Sequence, residues 1–187
     1  SHPTGQSIIA LAFSPDTSRT LLATAGAANT ISLWTFDGTT LTAVGEPLAG
    51  HSERINALAF SADGTLLASG SGDNSVRIWD VASGQQVGEA LSGHTESVSG
   101  VAFSPDGTLL ASSSRDGTIR LWDVATHELS GQVLNPNAGR LTDVAFSADG
   151  TTLAATTDVR WVILWDVEMR RMLGTPLTGQ RDQVNSL

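Results

Sequence analysis

The chain has 187 residues, of which 40% are hydrophobic and 16% are charged, a composition that is typical of a folded globular protein and excludes a disordered polyelectrolyte. Its 19 acidic residues outnumber its 10 basic residues, all of them arginine, and the net charge of −9 disfavours nucleic-acid and anionic membrane partners. Cysteine, a long apolar run and a signal-like segment are all absent, so we expect no disulfide, no membrane span and a cytoplasmic location.

An internal repeat of 43 residues organises the sequence. Residues 48–90 and 91–133 are identical at 22 of 43 aligned positions. Three phenylalanines and three tryptophans mark the same interval: Phe60, Phe103 and Phe146, and Trp79, Trp122 and Trp165. We place four copies at residues 4–47, 51–90, 94–133 and 137–176, with residues 177–187 as the start of a further repeat. They fill residues 1–187 as a single domain and leave no room for a second one.

Each copy predicts four short strands, and the third copy shows them most clearly. In chain order they cover residues 98–103, 108–113 and 118–122, and a weaker polar strand covers residues 128–133. Turn sequences that contain Asp-Gly separate the first three. The first strand is small and apolar throughout, so we expect it to be buried on both faces. Strands of this length with regularly spaced turns predict an all-β antiparallel fold.

The order of these motifs resembles the WD40 repeat. In the third copy Gly-His stands at residues 93–94, Phe-Ser-Pro-Asp-Gly at residues 103–107, and Asp-Gly-Thr-Ile-Arg-Leu-Trp-Asp at residues 116–123. The resemblance covers nearly the whole chain and implies β-propeller blades, each a four-stranded antiparallel sheet. The close similarity of the central copies and the lack of lysine resemble bacterial repeat proteins.

The resemblance implies a buried hydrogen-bonded chain of His, Ser or Thr, Asp and Trp in each blade. The two complete sets are His51, Ser69, Asp73 and Trp79, and His94, Ser112, Asp116 and Trp122. The same residue types spell a hydrolase triad, but a serine that faces a tryptophan N–H inside a blade favours a structural role, and we expect no enzyme activity. The four histidines are too scattered for a metal motif, and we expect no metal or cofactor.

The outer copies depart from this pattern. The first copy has Thr4 and Ala28 at the His and Asp positions, and the fourth has Asn137, Ala155 and Val159 in place of His, Ser and Asp. We therefore expect the outer blades to be softer than the central two.

The family resemblance implies a protein–protein interaction scaffold that presents loops and a rim to partners. By position in the repeat, eight side chains point to the candidate partner-binding face: Arg54, Asn56, Ser97, Ser99, Arg115, Arg140, Thr142 and Asp158. The three arginines favour acidic partners. An equally weighted alternative is that they only keep the surface soluble and bind no partner. The alternative functions are a regulatory module of a larger bacterial signalling protein and, with least support, a hydrolase.

Four copies are at the low end for a propeller, whose rings hold about 4–8 blades. Three interpretations follow. The chain is part of a longer propeller, or a half-propeller that pairs with a second copy, or a strained four-bladed ring. The first two are favoured equally, so we expect the exposed blade faces to be completed by further blades or covered by self-association.

Overall fold

The computed structural model describes residues 7–15 and 20–178. Thr4 and nearly all of the predicted further repeat lie outside these ranges. Within them the chain forms strands and no helix. The strands are β1 (Ile8–Phe13), β2 (Thr20–Gly26), β3 (Thr30–Phe36), β4 (Leu41–Ala49), β5 (Ile55–Phe60), β6 (Leu66–Ser71), β7 (Val76–Asp80), β8 (Gln86–Leu91), β9 (Val98–Phe103), β10 (Leu109–Ser114), β11 (Ile119–Asp123), β12 (Leu141–Phe146), β13 (Thr152–Thr157), β14 (Val162–Asp166) and β15 (Arg171–Met172).

The strands form four antiparallel sheets that follow one another along the chain, which confirms the all-β blade architecture. Sheet 1 has the order β1-β2-β3-β4, sheet 2 β5-β6-β7-β8, sheet 3 β9-β10-β11, and sheet 4 β12-β13-β14-β15. Every connection joins neighbouring strands, so each sheet is a meander built from local hairpins.

The Asp-Gly turns close the first hairpin of sheets 2 to 4 in the same way. In sheet 2 the Asp63 carboxylate accepts hydrogen bonds from the Ser61 hydroxyl at 2.6 Å and from the Thr65 backbone N–H at 3.0 Å. Gly64 follows at φ 71°, a conformation that a side chain disfavours. This turn chemistry explains why the motif recurs once per copy.

A bulge interrupts the outer edge of every sheet. In sheet 2 the register steps from the pair Ile78–Val87 to the pair Val76–Leu91, so that three residues of β8 pass opposite Arg77. The first residue of the bulge is a glycine with positive φ in all four sheets: Gly45, Gly88, Gly131 and Gly174.

The strand predicted at residues 128–133 is replaced by two isolated bridges, Trp122–Leu129 and Ile119–Leu134, so this prediction was wrong. The bulge removes the ladder between the two bridges. Arg170 of sheet 4 also donates hydrogen bonds to the Ser130 carbonyl and, at 3.0 Å, to the Ser130 hydroxyl, which ties this segment to the neighbouring sheet.

Consecutive sheets pack face to face through three hydrophobic clusters. Sheets 1 and 2 share a cluster that contains Ile31 and Trp79, and sheets 2 and 3 share one that contains Val76 and Trp122. Sheets 3 and 4 share the cluster around Ile119 and Trp165. Among the described residues no cluster joins sheet 1 to sheet 4, so a closed four-bladed ring is not what this structure shows.

The first strands lie side by side along the inner edge of this stack. They are only half-buried, because one side of β5, β9 and β12 lines an open groove formed by small and aromatic residues such as Ala59, Ala102 and Phe146. The expectation that these strands are buried on both faces was therefore wrong.

Candidate functional site

A buried polar chain crosses sheet 2 from its loop to its third strand. His51 lies within 2.8 Å of Asp73 through Nδ1 and within 2.8 Å of the Ser69 hydroxyl through Nε2. The indole Nε1 of Trp79 donates to the same hydroxyl at 2.9 Å. The loop residue, the turn residue and two strands are thus joined through consecutive hydrogen bonds.

The chemistry of these groups fixes the direction of each proton. An ionised carboxylate can only accept, so Nδ1 of His51 carries the proton that it donates to Asp73. In the neutral ring Nε2 is then an acceptor, which the Ser69 O–H satisfies while the Ser69 oxygen accepts from Trp79. Every polar atom between the carboxylate and the indole has a partner, as burial requires.

The charge states agree with this assignment. Burial lowers the pKa of His51 below its usual 6.5, although the bond to Asp73 acts in the opposite direction. Burial alone would raise the pKa of Asp73, but hydrogen bonds from Ser75 and His51 outweigh this effect and lower that pKa to about 2. Near neutral pH the pair is therefore a neutral imidazole beside a carboxylate.

Sheet 3 repeats the arrangement with nearly the same distances. His94 lies 2.9 Å from the Asp116 carboxylate and 2.8 Å from the Ser112 hydroxyl, and Trp122 donates to that hydroxyl at 2.9 Å. Burial lowers the pKa of His94 as well. The pKa of Asp116 falls to about 2, because hydrogen bonds, first of all from Thr118, exceed the opposing effect of burial.

The order Ser–His–Asp in these chains is that of a hydrolase triad, but the surroundings are not. Ser69 and Ser112 are both 0% exposed, whereas a nucleophile must be reached by its substrate. The tryptophan N–H also donates to the same serine oxygen and so occupies one of its two lone pairs.

The outer sheets keep only fragments of this arrangement. In sheet 1 Trp34 donates to the Thr24 hydroxyl at 2.8 Å. In sheet 4 Ala155 offers no hydroxyl, and the buried Nε1 of Trp165 has no hydrogen-bond partner. Asp158, one place from the expected carboxylate, is exposed and lies on the candidate partner-binding face instead.

Seven of the eight residues of the candidate partner-binding face surround one groove of about 530 Å³. The eighth, Ser97, accepts a hydrogen bond from the Asn56 side chain at 3.0 Å and lies directly behind the lining. The lining also includes Ile9 and Leu141, which sequence reasoning missed. Ile9 takes the place in β1 that Asn56 and the corresponding polar residues hold in the later sheets, a signal that the repeat alignment contains.

The rim residues Arg54, Arg115, Arg140 and Asp158 come from two positions of the repeat. The entry position precedes the first strand and is Ser7, Arg54, Ser97 or Arg140; the turn position joins the second and third strands and is Ala27, Gly72, Arg115 or Asp158. In every sheet the backbone N–H of the turn position donates to the backbone carbonyl of the entry position, at 2.9 to 3.3 Å. This main-chain bond recurs in every sheet, and in sheets 2 and 3 the Ser71 and Ser114 hydroxyls also donate to backbone carbonyls of the same loop. The side chains at the entry and turn positions differ from copy to copy.

The floor of the groove ties neighbouring sheets together. Asn56 on β5 donates to the backbone carbonyl of Val98 at 2.8 Å, and Ser99 on β9 donates to that of Leu141 at 2.8 Å. These bonds fix the spacing between sheets at the point where the rim side chains converge. The groove is thus supported by a rigid scaffold, as binding sites on loops usually are.

The charge of the groove is mainly positive. Arg54, Arg115 and Arg140 are exposed and are opposed in the lining by Asp158 alone. Arg140 also faces Glu96 across 3.7 Å, an exposed pair that contributes little stability. Guanidinium groups bind carboxylates through paired hydrogen bonds, so this arrangement suits a carboxylate-bearing ligand.

The described ranges contain no group of three metal-ligating side chains placed to hold an ion. Nor do they contain a helix with the length and apolar character that crossing a membrane requires.

Comparison with known proteins identifies similar repeats in much longer chains. Over 74 residues the chain is 50% identical to WD repeat-containing protein 1 of Xenopus tropicalis. The matched segment is 38% of this chain and 11% of that protein. Over 75 residues it is 41% identical to the intraflagellar transport protein 122 homolog of the same species, covering 40% and 6%. Over 38 residues it is 55% identical to the periodic tryptophan protein 2 homolog of Schizosaccharomyces pombe, covering 20% and 4%.

The chain therefore spans only a small part of these relatives. The family model described as WD domain, G-beta repeat matches residues 1–35, 40–80 and 84–123, which is more than half of the chain. Together with the blade-like sheets, these matches show that the chain belongs to the WD40 repeat family.

Proposed function

We propose that the chain is a non-catalytic protein–protein interaction scaffold whose groove binds carboxylate-bearing partners. The WD40 repeat is generally a non-enzymatic interaction unit, which supports the general class. The observation that carries the finer proposal is the convergence of Arg54, Arg115 and Arg140 around one groove. Copies that share their buried residues differ at these rim positions, where a shared fold needs no particular side chain.

The two buried polar chains have a supporting role in this proposal. They connect the loop before the first strand to the interior of sheets 2 and 3, and so hold the entry positions of the rim. The burial of Ser69 and Ser112 favours this role over hydrolysis.

The test measures how strongly the chain binds to peptides that are immobilised on a surface. One set of peptides is rich in Asp and Glu, and the matched set has Asn and Gln at the same places. We expect the natural chain to retain acidic peptides preferentially, and the variant R54Q/R115Q/R140Q to lose at least tenfold in affinity, because paired guanidinium–carboxylate hydrogen bonds are lost.

The matched control is Arg171→Gln, which removes an exposed arginine on β15, outside the groove. All variants should unfold at the temperature of the natural chain, because the substituted arginine side chains are exposed and take no part in the core. Equal retention of acidic and neutral peptides, or full binding by the triple variant, would show that the arginines only keep the surface soluble.

A regulatory module within a longer polypeptide is the second candidate. The observation in its favour is that the relatives carry matching repeats in chains of which this sequence covers 4% to 11%. The relatives named above are eukaryotic, and a bacterial signalling context stays a prediction, as does a cytoplasmic location. The sequence of the complete gene would distinguish a module from a free-standing scaffold.

A further inference from the structure

Each sheet has two different apolar faces. One face carries the tryptophan that recurs in the third strand of every sheet, and we call it the tryptophan face. In sheet 2 it is formed by Ile55, Leu58, Phe60, Leu67 and Trp79. The opposite face is called the aliphatic face; in sheet 2 it is formed by Ala68, Val76, Ile78 and Leu91.

The same pairing of faces occurs at all three internal interfaces. The aliphatic face of sheet 1 covers the tryptophan face of sheet 2, and the pattern repeats between sheets 2 and 3 and between sheets 3 and 4. At each of these three interfaces, a tryptophan face is therefore covered by the aliphatic face of the preceding sheet.

Within residues 7–15 and 20–178, no sheet covers the tryptophan face of sheet 1. Ile8 is 64% exposed, whereas Ile55 at the same position of sheet 2 is 0% exposed. Leu11 and Phe13 are 63% and 61% exposed. Ile8 and Leu11 line, with Leu22 and Trp34, a largely apolar hollow of about 760 Å³. The area is continuous, and this distinguishes it from scattered surface hydrophobics.

In the part of the chain that the structure describes, the aliphatic face of sheet 4 has no facing sheet either. It carries Ala154, Val162, Leu164 and Leu177 at the positions of Ala68, Val76, Ile78 and Leu91. The sheet 2 residues are at most 4% exposed. By contrast Leu177 is 54% exposed, and the other three members of the sheet 4 face are only partly buried.

We propose that the tryptophan face of sheet 1 is covered by the aliphatic face of sheet 4 from a second copy of this chain. The occupant follows from the three internal interfaces, because only another sheet of this repeat brings the matching side chains. A second copy supplies the missing half to each end, so two identical head-to-tail contacts would join two copies into one closed assembly.

The test uses one charge on each end face. In the variant Leu11→Asp the tryptophan face of sheet 1 is disrupted, and in Leu177→Asp the aliphatic face of sheet 4 is disrupted. Both side chains are more than half exposed in the single chain, so neither change disturbs the fold. Molar mass is measured by light scattering after size exclusion, over a range of protein concentrations.

We expect the natural chain to have twice the 19.4 kDa mass of one copy, and each variant alone to be a monomer. An equimolar mixture of the two variants should again form a dimer, since each supplies the intact face that the other lacks. That dimer has one contact instead of two and should therefore need a higher concentration to form.

The matched control is Leu129→Asp, the same substitution at a side chain that is 37% exposed on the outer edge of sheet 3. It should leave the dimer intact. A natural chain that stays monomeric at every concentration would overturn the proposal and assign the faces to other blades or another protein. Dimerisation of either end-face variant alone would also overturn it, because like faces would then be pairing.

Discussion

Ser69 and Ser112 each join two neighbours through a single hydroxyl group, and this double use explains the residue type. A hydroxyl donates to histidine and accepts from tryptophan at the same oxygen. Alanine can do neither, which is why Ala155 in sheet 4 leaves the Trp165 indole N–H buried without a partner. An unpaired buried donor costs about 1–3 kcal/mol.

Replacing Ala155 with Ser should repair this defect. The new hydroxyl would lie where Ser69 and Ser112 lie in the central sheets, within reach of the Trp165 N–H. We expect the variant to be more stable than the natural chain by about 0.5–1.5 kcal/mol, measured by urea unfolding. The control Ala154→Ser places a hydroxyl on the opposite side of the same strand. If both variants lose stability equally, the indole gains nothing from the hydroxyl.

At the scale of the strands, the bulge glycines show how a repeated conformation meets different surroundings. Gly45 and Gly88 have φ values of 67° and 66°. A methyl group on Gly45 would meet nothing within 4 Å, whereas a methyl group on Gly88 would overlap the His127 ring of sheet 3. A side chain at either site would therefore meet the same backbone strain, but only at Gly88 would it also collide with a neighbouring side chain.

This difference predicts the outcome of two alanine substitutions. Gly45→Ala should destabilise the chain by about 1 kcal/mol, the cost of a side chain in the left-handed region. Gly88→Ala should cost measurably more, because the His127 ring must also move. In a His127→Ala background the excess should disappear. Urea unfolding of the natural chain, Gly45→Ala, Gly88→Ala, His127→Ala and the double variant G88A/H127A would measure it. An unchanged excess in that background would mean that the ring is not its cause.

The strands were predictable because their markers are local. Asp-Gly turns and the spacing of Trp79, Trp122 and Trp165 indicate where each hairpin begins and ends, and the predicted sheet class is confirmed. The bulge was missed, since a glycine in a polar edge strand gives no periodic signal. The burial of the first strands was misjudged, because small residues suit an open inner groove as well as a crowded centre.

The candidate groove was harder to predict than the strands. The exposed residues at the rim follow from their place in the repeat, and the structure brings seven of the eight together. Their role in binding stays a prediction. Ile9 and Leu141 were missed because an apolar residue at a strand start is typical of a core. For Ile9 the repeat alignment contains the signal, since Asn56 and other polar residues hold the same place in later sheets. Leu141 is itself a fully buried core residue, and only the structure shows that it borders the groove.

At the scale of the whole molecule, the buried histidines connect stability to pH. The pKa values of His51 and His94 lie below 6.5 in the folded chain. The unfolded chain therefore binds more protons as the pH falls below 6.5, and the folded state loses stability. The pKa values of Asp73 and Asp116 near 2, against 3.8 normally, add a second loss as the pH falls from about 4 towards 2.

We therefore expect the midpoint of thermal unfolding to fall as the pH is lowered from 7 to 5. The variant H51N/H94N should be less stable at pH 7 but should lose less stability over this range, because the titrating groups are gone. Circular dichroism at 0.5-unit steps, roughly the resolution that a single titration requires, would measure both curves. Parallel curves for the two proteins would assign the pH dependence to other groups.

The expectation that the outer sheets open first stays a prediction at this scale. Sheets 1 and 4 lack complete polar chains, and in the single chain the described residues leave one apolar face of each sheet uncovered. Both features lower local stability, so the ends of the stack should exchange amide hydrogens before its centre.

The main-chain bond between the entry and turn positions has a consequence for how such a chain can diversify. Because that bond involves no side chain, duplication of one repeat copies a complete rim support along with two unconstrained display sites. Later substitutions at those sites alter what the surface presents and leave the inherited framework untouched. A gene of tandem copies can therefore acquire new recognition properties one exposed residue at a time.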